Sequence, residues 1–203
     1  MLYTFARFIF FLFFKMFFRL KIVGRENFPM TGPVIVAPNH ASFLDPIIVG
    51  VGAPRKLSYL ARDTLFRFRP FATALKWAHV SPIKRETGDV NAFKTALSKL
   101  KQGEPLLIFP EGTRSKDGDL QEPKSGIGFL QNNSRAAILP CYVKGAVEAW
   151  PRHSKFPRSR RVSVYFGRPL NLDMEFSSNK KELYLQVARE VMRSIRELKK
   201  NAN

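Results

Sequence analysis

The sequence predicts a single α/β domain, a mixed and largely parallel sheet flanked by helices, with an aromatic helix in front of it. Three observations predict this. Short apolar runs of strand type alternate with stretches whose apolar residues recur at helical spacing, the signature of a sheet with crossover helices. The 203 residues contain no internal repeat and no long linker, and the length suits one domain with a sizeable core. The composition, 45% hydrophobic and 25% charged, is globular rather than disordered.

The first twenty residues stand apart. Phe5, Phe8, Ile9, Phe10, Phe11, Leu12, Phe13, Phe14, Phe17 and Phe18 form an aromatic run interrupted by Arg7, Lys15 and Arg19. A spanning helix needs roughly 20 mostly apolar residues, and the charge-free core extends only from Phe8 to Phe14. A secretory signal would lead to small residues at a cleavage site, whereas this run leads to Lys21-Ile22-Val23-Gly24-Arg25. The expectation is a helix lying in the membrane interface over residues 1–20, aromatics down and cations toward lipid phosphates, ahead of a domain over residues 21–203. A core-packed apolar helix is the plainer alternative.

Val34–Ala37 reads as a strand, and Phe43–Val51 as a helix begun at Ser42. Leu57–Ala61 is a second strand. Leu65, Phe68, Phe71, Ala72 and Leu75 lie at helical spacing within Thr64–Lys76, where Pro70 imposes a bend. Ala78–Ile83 is a short strand, and Asn91–Lys101 a helix with Phe93, Leu97 and Leu100 on one face. Pro105–Phe109, Ala136–Val143 and Val162–Phe166 are further strands, and Lys124-Ser125-Gly126-Ile127-Gly128 leads into a short helix. Leu183, Val187, Val191, Ile195 and Leu198 define a closing amphipathic helix over Lys180–Lys200.

Charge is lopsided, with 34 Lys and Arg against 16 Asp and Glu, formally +18. Such a surface associates with polyanions: nucleic acid, anionic lipid or phosphorylated substrates. The basic residues are interleaved with core elements and form no nucleic-acid reading motif, and an aromatic run is unexplained in a nucleic-acid binder, so no nucleic-acid partner is expected. The lone Cys141 and the scattered His40, His79 and His153 offer no metal-ligand spacing, so no metal is expected.

Ligands of open α/β sheets bind beyond the carboxyl ends of the strands. Three polar groups occupy such exits. His40 follows the first strand, with Asp45 five residues on. That spacing turns the two side chains apart in a continuous helix, so they meet only if the backbone turns between them. His is suited to proton transfer near neutral pH, and a neighbouring carboxylate fixes its tautomer. Ser42-x-x-Asp45 also reads as a capping box with Asp in place of Glu, which accounts for both residues without catalysis. Arg85, in Ser81-Pro82-Ile83-Lys84-Arg85, has the planar fork that binds phosphate bidentately. Phe109-Pro110-Glu111-Gly112-Thr113-Arg114-Ser115 follows a buried-type strand. Its glycine lets backbone approach an anion, and Glu111 and Arg114 either pair with each other or face a pocket. Lys124 offers a further anion contact.

His-x4-Asp at 40–45, then Arg85, then Glu111-Gly112-Thr113-Arg114, then Ile138-Leu139-Pro140-Cys141-Tyr142-Val143 form an ordered set over roughly residues 30 to 145. In this set the chain resembles the glycerolipid acyltransferase family, most closely its bacterial 1-acyl-sn-glycerol-3-phosphate acyltransferases. Cys141 departs from the small or branched apolar residue usual in the fourth motif. The resemblance implies acyl transfer from acyl-CoA or acyl-carrier protein, as co-substrate, to the sn-2 hydroxyl of lysophosphatidic acid. His40 would be the base and Asp45 its orienting partner. Arg85 and Arg114 would bind the acceptor phosphate, with Glu111, Gly112 and Thr113 shaping that pocket and Lys124 nearby. No resident cofactor is implied. A peripheral position on the cytoplasmic face of the cell membrane, against an anionic surface, follows from the same reading. The alternatives are another lysolipid acceptor, or a membrane-binding module without turnover.

Overall fold

The computed structural model describes residues 2–67, 69–83, 90–151, 154, 156–172 and 179–202. In chain order the elements are α1 (Leu2–Phe17), β1 (Lys21–Val23), β2 (Val34–Pro38), α2 (Asp45–Gly52), β3 (Tyr59–Arg62), α3 (Arg69–Trp77), β4 (Val80–Ile83), α4 (Val90–Lys101) and β5 (Pro105–Leu107). They continue with α5 (Gly126–Ser134), β6 (Ala137–Lys144), α6 (Ala146–Ala149), β7 (Ser163–Phe166) and α7 (Lys180–Asn201).

The main sheet runs β1-β7-β6-β2-β5, parallel throughout except for the antiparallel β6–β7 pair. This is the mixed, largely parallel α/β architecture expected. Five consecutive buried residues in β2 mark a central strand covered on both faces, as parallel strands are. The side-chain period of two sorts the layers. Val34 and Val36 face a cluster with Phe14, Phe18, Ile48, Leu139, Cys141 and Val164, under α1 and α2. Ile35 and Ala37 face Ala96, Leu100, Ile127, Leu130, Val191 and Ile195, under α4, α5 and α7. In α7, Asn179 caps the first turn by accepting from the Glu182 N–H at 3.3 Å. The helix then buries Leu183, Val187, Val191, Met192 and Ile195, each contributing roughly 1.5–3 kcal/mol of transfer free energy.

Several elements differ from expectation, each for a local reason. The stretch over 64–76 is split rather than bent: a 3₁₀ turn over Asp63–Phe66 precedes α3, and Pro70 occupies its first turn, where a missing N–H is harmless. The strand near residue 57 starts later, as β3, and pairs with β4 in a separate two-stranded sheet. Ser58 joins that sheet to β5, donating its N–H to the Pro105 carbonyl and accepting from the Leu107 N–H. The three-residue edge strand β1 was too short to show a pattern.

Helix α1 has two faces. Phe14 and Phe18 beside its end are buried in the core, whereas Phe8, Phe10, Phe13 and Met16 are 54%, 54%, 49% and 80% exposed. Arg7 is not among the outward cations: it donates to the carbonyls of Ala53 and Pro54 at the end of α2, where a cation offsets the helix dipole. Among the described residues no helix is long and apolar enough to cross a membrane.

Candidate functional site

Strand β2 ends at Pro38, which has no N–H to continue the ladder. Asn39 takes over. Its side-chain amide donates to the Val143 carbonyl at 3.2 Å and accepts from the Val143 N–H at 2.7 Å, imitating a strand residue and extending the grip on β6 by one step. The chain then turns, and His40 is held at every polar group it has on that side. Its backbone N–H donates to Glu111 Oε1 at 2.8 Å, and its carbonyl accepts from the Ser115 N–H at 2.8 Å. Its ring stacks on Phe109, with centroids 3.6 Å apart and planes 14° from parallel.

The turn between His40 and Asp45 brings the pair together, with His40 Nδ1 2.9 Å from Asp45 Oδ2. The same oxygen accepts from the Ala41 and Ser42 N–H groups, both at 2.7 Å. Asp45 is fully buried, and among the described residues its Oδ1 has no hydrogen-bond partner. A carboxylate only accepts, so Nδ1 carries the proton of that bond, and in the neutral imidazole Nε2 is then the nitrogen with the lone pair. The His40 side chain is 18% exposed.

The capping box is half present. Asp45 reaches back to the Ser42 N–H, but the Ser42 hydroxyl accepts from the N–H of Leu44, the residue just before α2, at 3.3 Å and donates to the Trp150 carbonyl at 3.2 Å, so it reaches no N–H inside the helix. The helix accordingly starts at Asp45 rather than at Ser42, with Pro46 in its first turn. One carboxylate thus holds both the turn and the imidazole.

The second loop closes over this pair. Glu111 differs from both expectations for it. It is 2% exposed, and its carboxylate accepts from the backbone of His40 through Oε1 and of Gln121 through Oε2 at 3.1 Å, so it braces the His40 loop instead of lining a pocket. Burial pushes its pKa above the ordinary value, reinforced by the nearby charge of Asp45 and opposed by the two N–H donors. Gly112, at φ 70°, makes the turn that follows, and its N–H returns to the Phe109 carbonyl. Thr113 is exposed. The Arg114 guanidinium lies 3.6 Å from the centroid of the Phe43 ring, a cation–π stack joining the two loops. Lys124 is tied in through its N–H to the Pro110 carbonyl. Its side chain runs so close to Gly112 that a Cβ there would meet Lys124 Cδ at 2.9 Å. His40, Asp45, Glu111, Gly112, Arg114 and Lys124 thus come together, whereas Arg85 lies outside the described residues. Among the described residues no three His, Cys, Asp or Glu side chains cluster as a metal site requires.

The arrangement sets an imidazole that can accept a proton, held by Asp45, in loops that also carry two cations, Arg114 on Phe43 and Lys124 against Gly112. The acyltransferase family model matches residues 19–144, which contain all of these groups. The chain belongs to the acyltransferase family. Within it, the chain is 29% identical over 154 residues to the 1-acyl-sn-glycerol-3-phosphate acyltransferase of Bacillus subtilis, covering 75% of this chain and 74% of that one. It is 30% identical over 156 residues to the enzyme of the same name from Helicobacter pylori, covering 73% and 66%. A chloroplastic relative from Arabidopsis thaliana is 30% identical over 142 residues, 68% of this chain but only 40% of that longer protein. The fold matches the crystal structure of the acyltransferase PlsC from Thermotoga maritima with a TM-score of 0.77 at 24% identity, over 97% of this chain and 81% of that one.

Three contributors to the site carried no assigned role in the sequence: Phe109, Phe43 and Asn39. An aromatic directly before the Pro110 turn at one strand exit, opposite a histidine at the next, is the signal that points to the ring stack.

Proposed function

We propose that this acyltransferase transfers an acyl group from acyl-CoA or acyl-carrier protein to the sn-2 hydroxyl of lysophosphatidic acid, forming phosphatidic acid. The observation that carries the reading is the 2.9 Å His40–Asp45 pair at the exit of β2, with Arg114 stacked one loop away. The acceptor named in the relatives has one hydroxyl to deprotonate and one phosphate to bind.

In this mechanism His40 Nε2 takes the hydroxyl proton as the acceptor oxygen attacks the thioester carbonyl. Asp45 holds the imidazole in place and favours the imidazolium that forms. The tetrahedral intermediate collapses with cleavage of the C–S bond, and the imidazolium proton goes to the departing thiolate. No covalent acyl-enzyme is required, because the alkoxide attacks directly and a thiolate leaves readily. Arg114, together with Arg85, binds the acceptor phosphate, with Gly112, Thr113 and Lys124 completing that side. The donor is a co-substrate, and no resident cofactor takes part. The exposed aromatic face of α1 lies in the membrane interface, on the cytoplasmic face, and presents the site to a single-chain acceptor at the bilayer surface.

The test is purified protein with lysophosphatidic acid and a panel of acyl-CoA and acyl-carrier-protein donors, reading products by mass. Phosphatidic acid is the expected product with at least one donor. Its absence with every donor would overturn the reading.

A further inference from the structure

Away from the catalytic pair, a second basic feature is built from two segments far apart in sequence. The end of α1 and the stretch before β7 are stitched together: Ser159 Oγ donates to the Phe17 carbonyl at 2.6 Å, and the Val162 N–H to the Phe18 carbonyl at 3.0 Å. The Lys21 N–H returns to the Val162 carbonyl at 3.0 Å. Between the segments lies a cleft of about 280 Å³ lined by Arg19, Ser159, Arg160 and Arg161. Arg19 adopts the left-handed region at φ 49°, where residues other than glycine are uncommon, and the stitched backbone on either side holds it there.

A chain carrying +18 has many exposed arginines, so clustering alone means little. What sets this cleft apart is that three guanidiniums from two segments far apart in sequence share it, pinned by the backbone bonds on either side. On α7, Arg189, Arg193, Arg196 and Lys199 each meet a carboxylate, whereas among the described residues none of the three cleft arginines makes an ion pair. Three guanidiniums lining one cleft without a counter-charge call for an external anion, and guanidinium geometry favours phosphate.

The cleft's position identifies the source. Ser163 pairs with Lys21 on one side and Lys144 on the other, and Val143 is gripped by Asn39. The cleft therefore lies at the same end of the sheet as His40, two strands over at Arg160 and Arg161 before β7 and three at Arg19 before β1, or about 10–14 Å between backbones at the usual strand spacing of ~4.8 Å. The sn-2 oxygen and the phosphorus of an acceptor are separated by only a few bonds, a span shorter than that backbone separation. The cleft does adjoin the end of α1, whose exposed Phe13 and Met16 form part of the outward apolar face, and Phe156 nearby in sequence is 77% exposed.

We propose that Arg19, Arg160 and Arg161 hold the headgroup phosphate of an anionic membrane phospholipid distinct from the acceptor. This docks the catalytic end of the sheet against the bilayer. The inference rests on the membrane-surface reading of α1, and the experiment separates the two.

Co-sedimentation is measured for the full chain, for R19Q/R160Q/R161Q, and for a charge-matched control, K94Q/K101Q/R168Q. Vesicles are pure phosphatidylcholine or contain added phosphatidylglycerol. A basic group near an anionic leaflet contributes about 1 kcal/mol, so removing three corresponds to roughly a hundredfold loss of partitioning. The expected result is that loss for the cleft variant on anionic vesicles, under tenfold for the control, and equal binding of all three proteins to neutral vesicles. Equal losses in both variants would reduce the effect to diffuse attraction and overturn the cleft. Release of wild type by coenzyme A, beyond that by sodium chloride of equal ionic strength, would make the occupant a soluble phosphate and overturn the lipid assignment. Failure of the wild type to bind either vesicle would sink the membrane reading itself. Thermal melts check that the cleft variant is folded.

Discussion

Replacing Asp45 by Asn isolates what the carboxylate does for the base. Asp45 Oδ2 serves three donors within 2.9 Å: His40 Nδ1 and the N–H groups of Ala41 and Ser42. An Asn oxygen can keep the two backbone donors and so the turn, but it brings no negative charge to the imidazolium that forms during proton transfer. Two unit charges about 4 Å apart at an effective dielectric constant near 20 interact by about 4 kcal/mol, and that stabilisation exists only once the proton has moved. The expected effect of Asp45→Asn is therefore a fall in kcat of about a thousandfold, with KM for the acceptor changed only a few-fold. The assay follows thiol release from acyl-CoA with lysophosphatidic acid saturating, and circular dichroism checks that the turn survives. Activity within tenfold of wild type in a folded variant would refute the charge argument. A raised KM with normal kcat would move Asp45 from the base to the substrate.

Three other variants are tied to the same geometry. Arg114→Ala should raise KM for phosphate-bearing acceptors by about 10- to 100-fold, the weight of a charge-assisted hydrogen bond, and an equal loss on an uncharged acceptor would remove Arg114 from that role. Gly112→Ala forces a Cβ into the left-handed region and against Lys124, so it should cost about 1–2 kcal/mol, read as a fall of roughly 2–8 °C in Tm. Glu111→Gln keeps one acceptor for the His40 N–H but turns an NH₂ toward Gln121. It should lower kcat about tenfold with little change in KM. Because burial raises Glu111 above its ordinary value of 4.5, its contribution to stability is full below that pH and is lost as pH rises through the folded-state value. The stability deficit of Glu111→Gln should thus be largest in acid and shrink toward neutrality, and a deficit that grows with pH would reverse the assignment.

The sheet was legible because β2, β5, β6 and β7 are compact apolar runs bounded by turn residues, and α7 because its apolar positions repeat over five turns. The antiparallel course of β7 was not, since a buried strand reads the same in either direction. The His40–Asp45 pair could be inferred because a spacing of five is useful only around a turn. Glu111 could not be placed, because its partners are backbone N–H groups of His40 and Gln121, and no side-chain pattern records where a distant backbone amide will point. Arg7 was misplaced for a related reason: a cation in an apolar helix reads as a group bound for solvent, and only the packing of α1 on α2 reveals two free carbonyls within its reach. The ring stack of His40 on Phe109 belongs to the same class, a contact between strand exits that exists only after the sheet has formed.

The central claim is that His40 deprotonates the acceptor hydroxyl. The most direct measurement is phosphatidic acid formed from lysophosphatidic acid and an active thioester donor, quantified by mass for wild type and His40→Ala at equal folded concentration. Removal of a positioned general base typically costs 10²- to 10⁴-fold, so the account predicts a loss in about that range in a protein that still melts cooperatively, at a somewhat lower temperature because buried Asp45 loses a donor. Product formation by His40→Ala within a few-fold of wild type would contradict it.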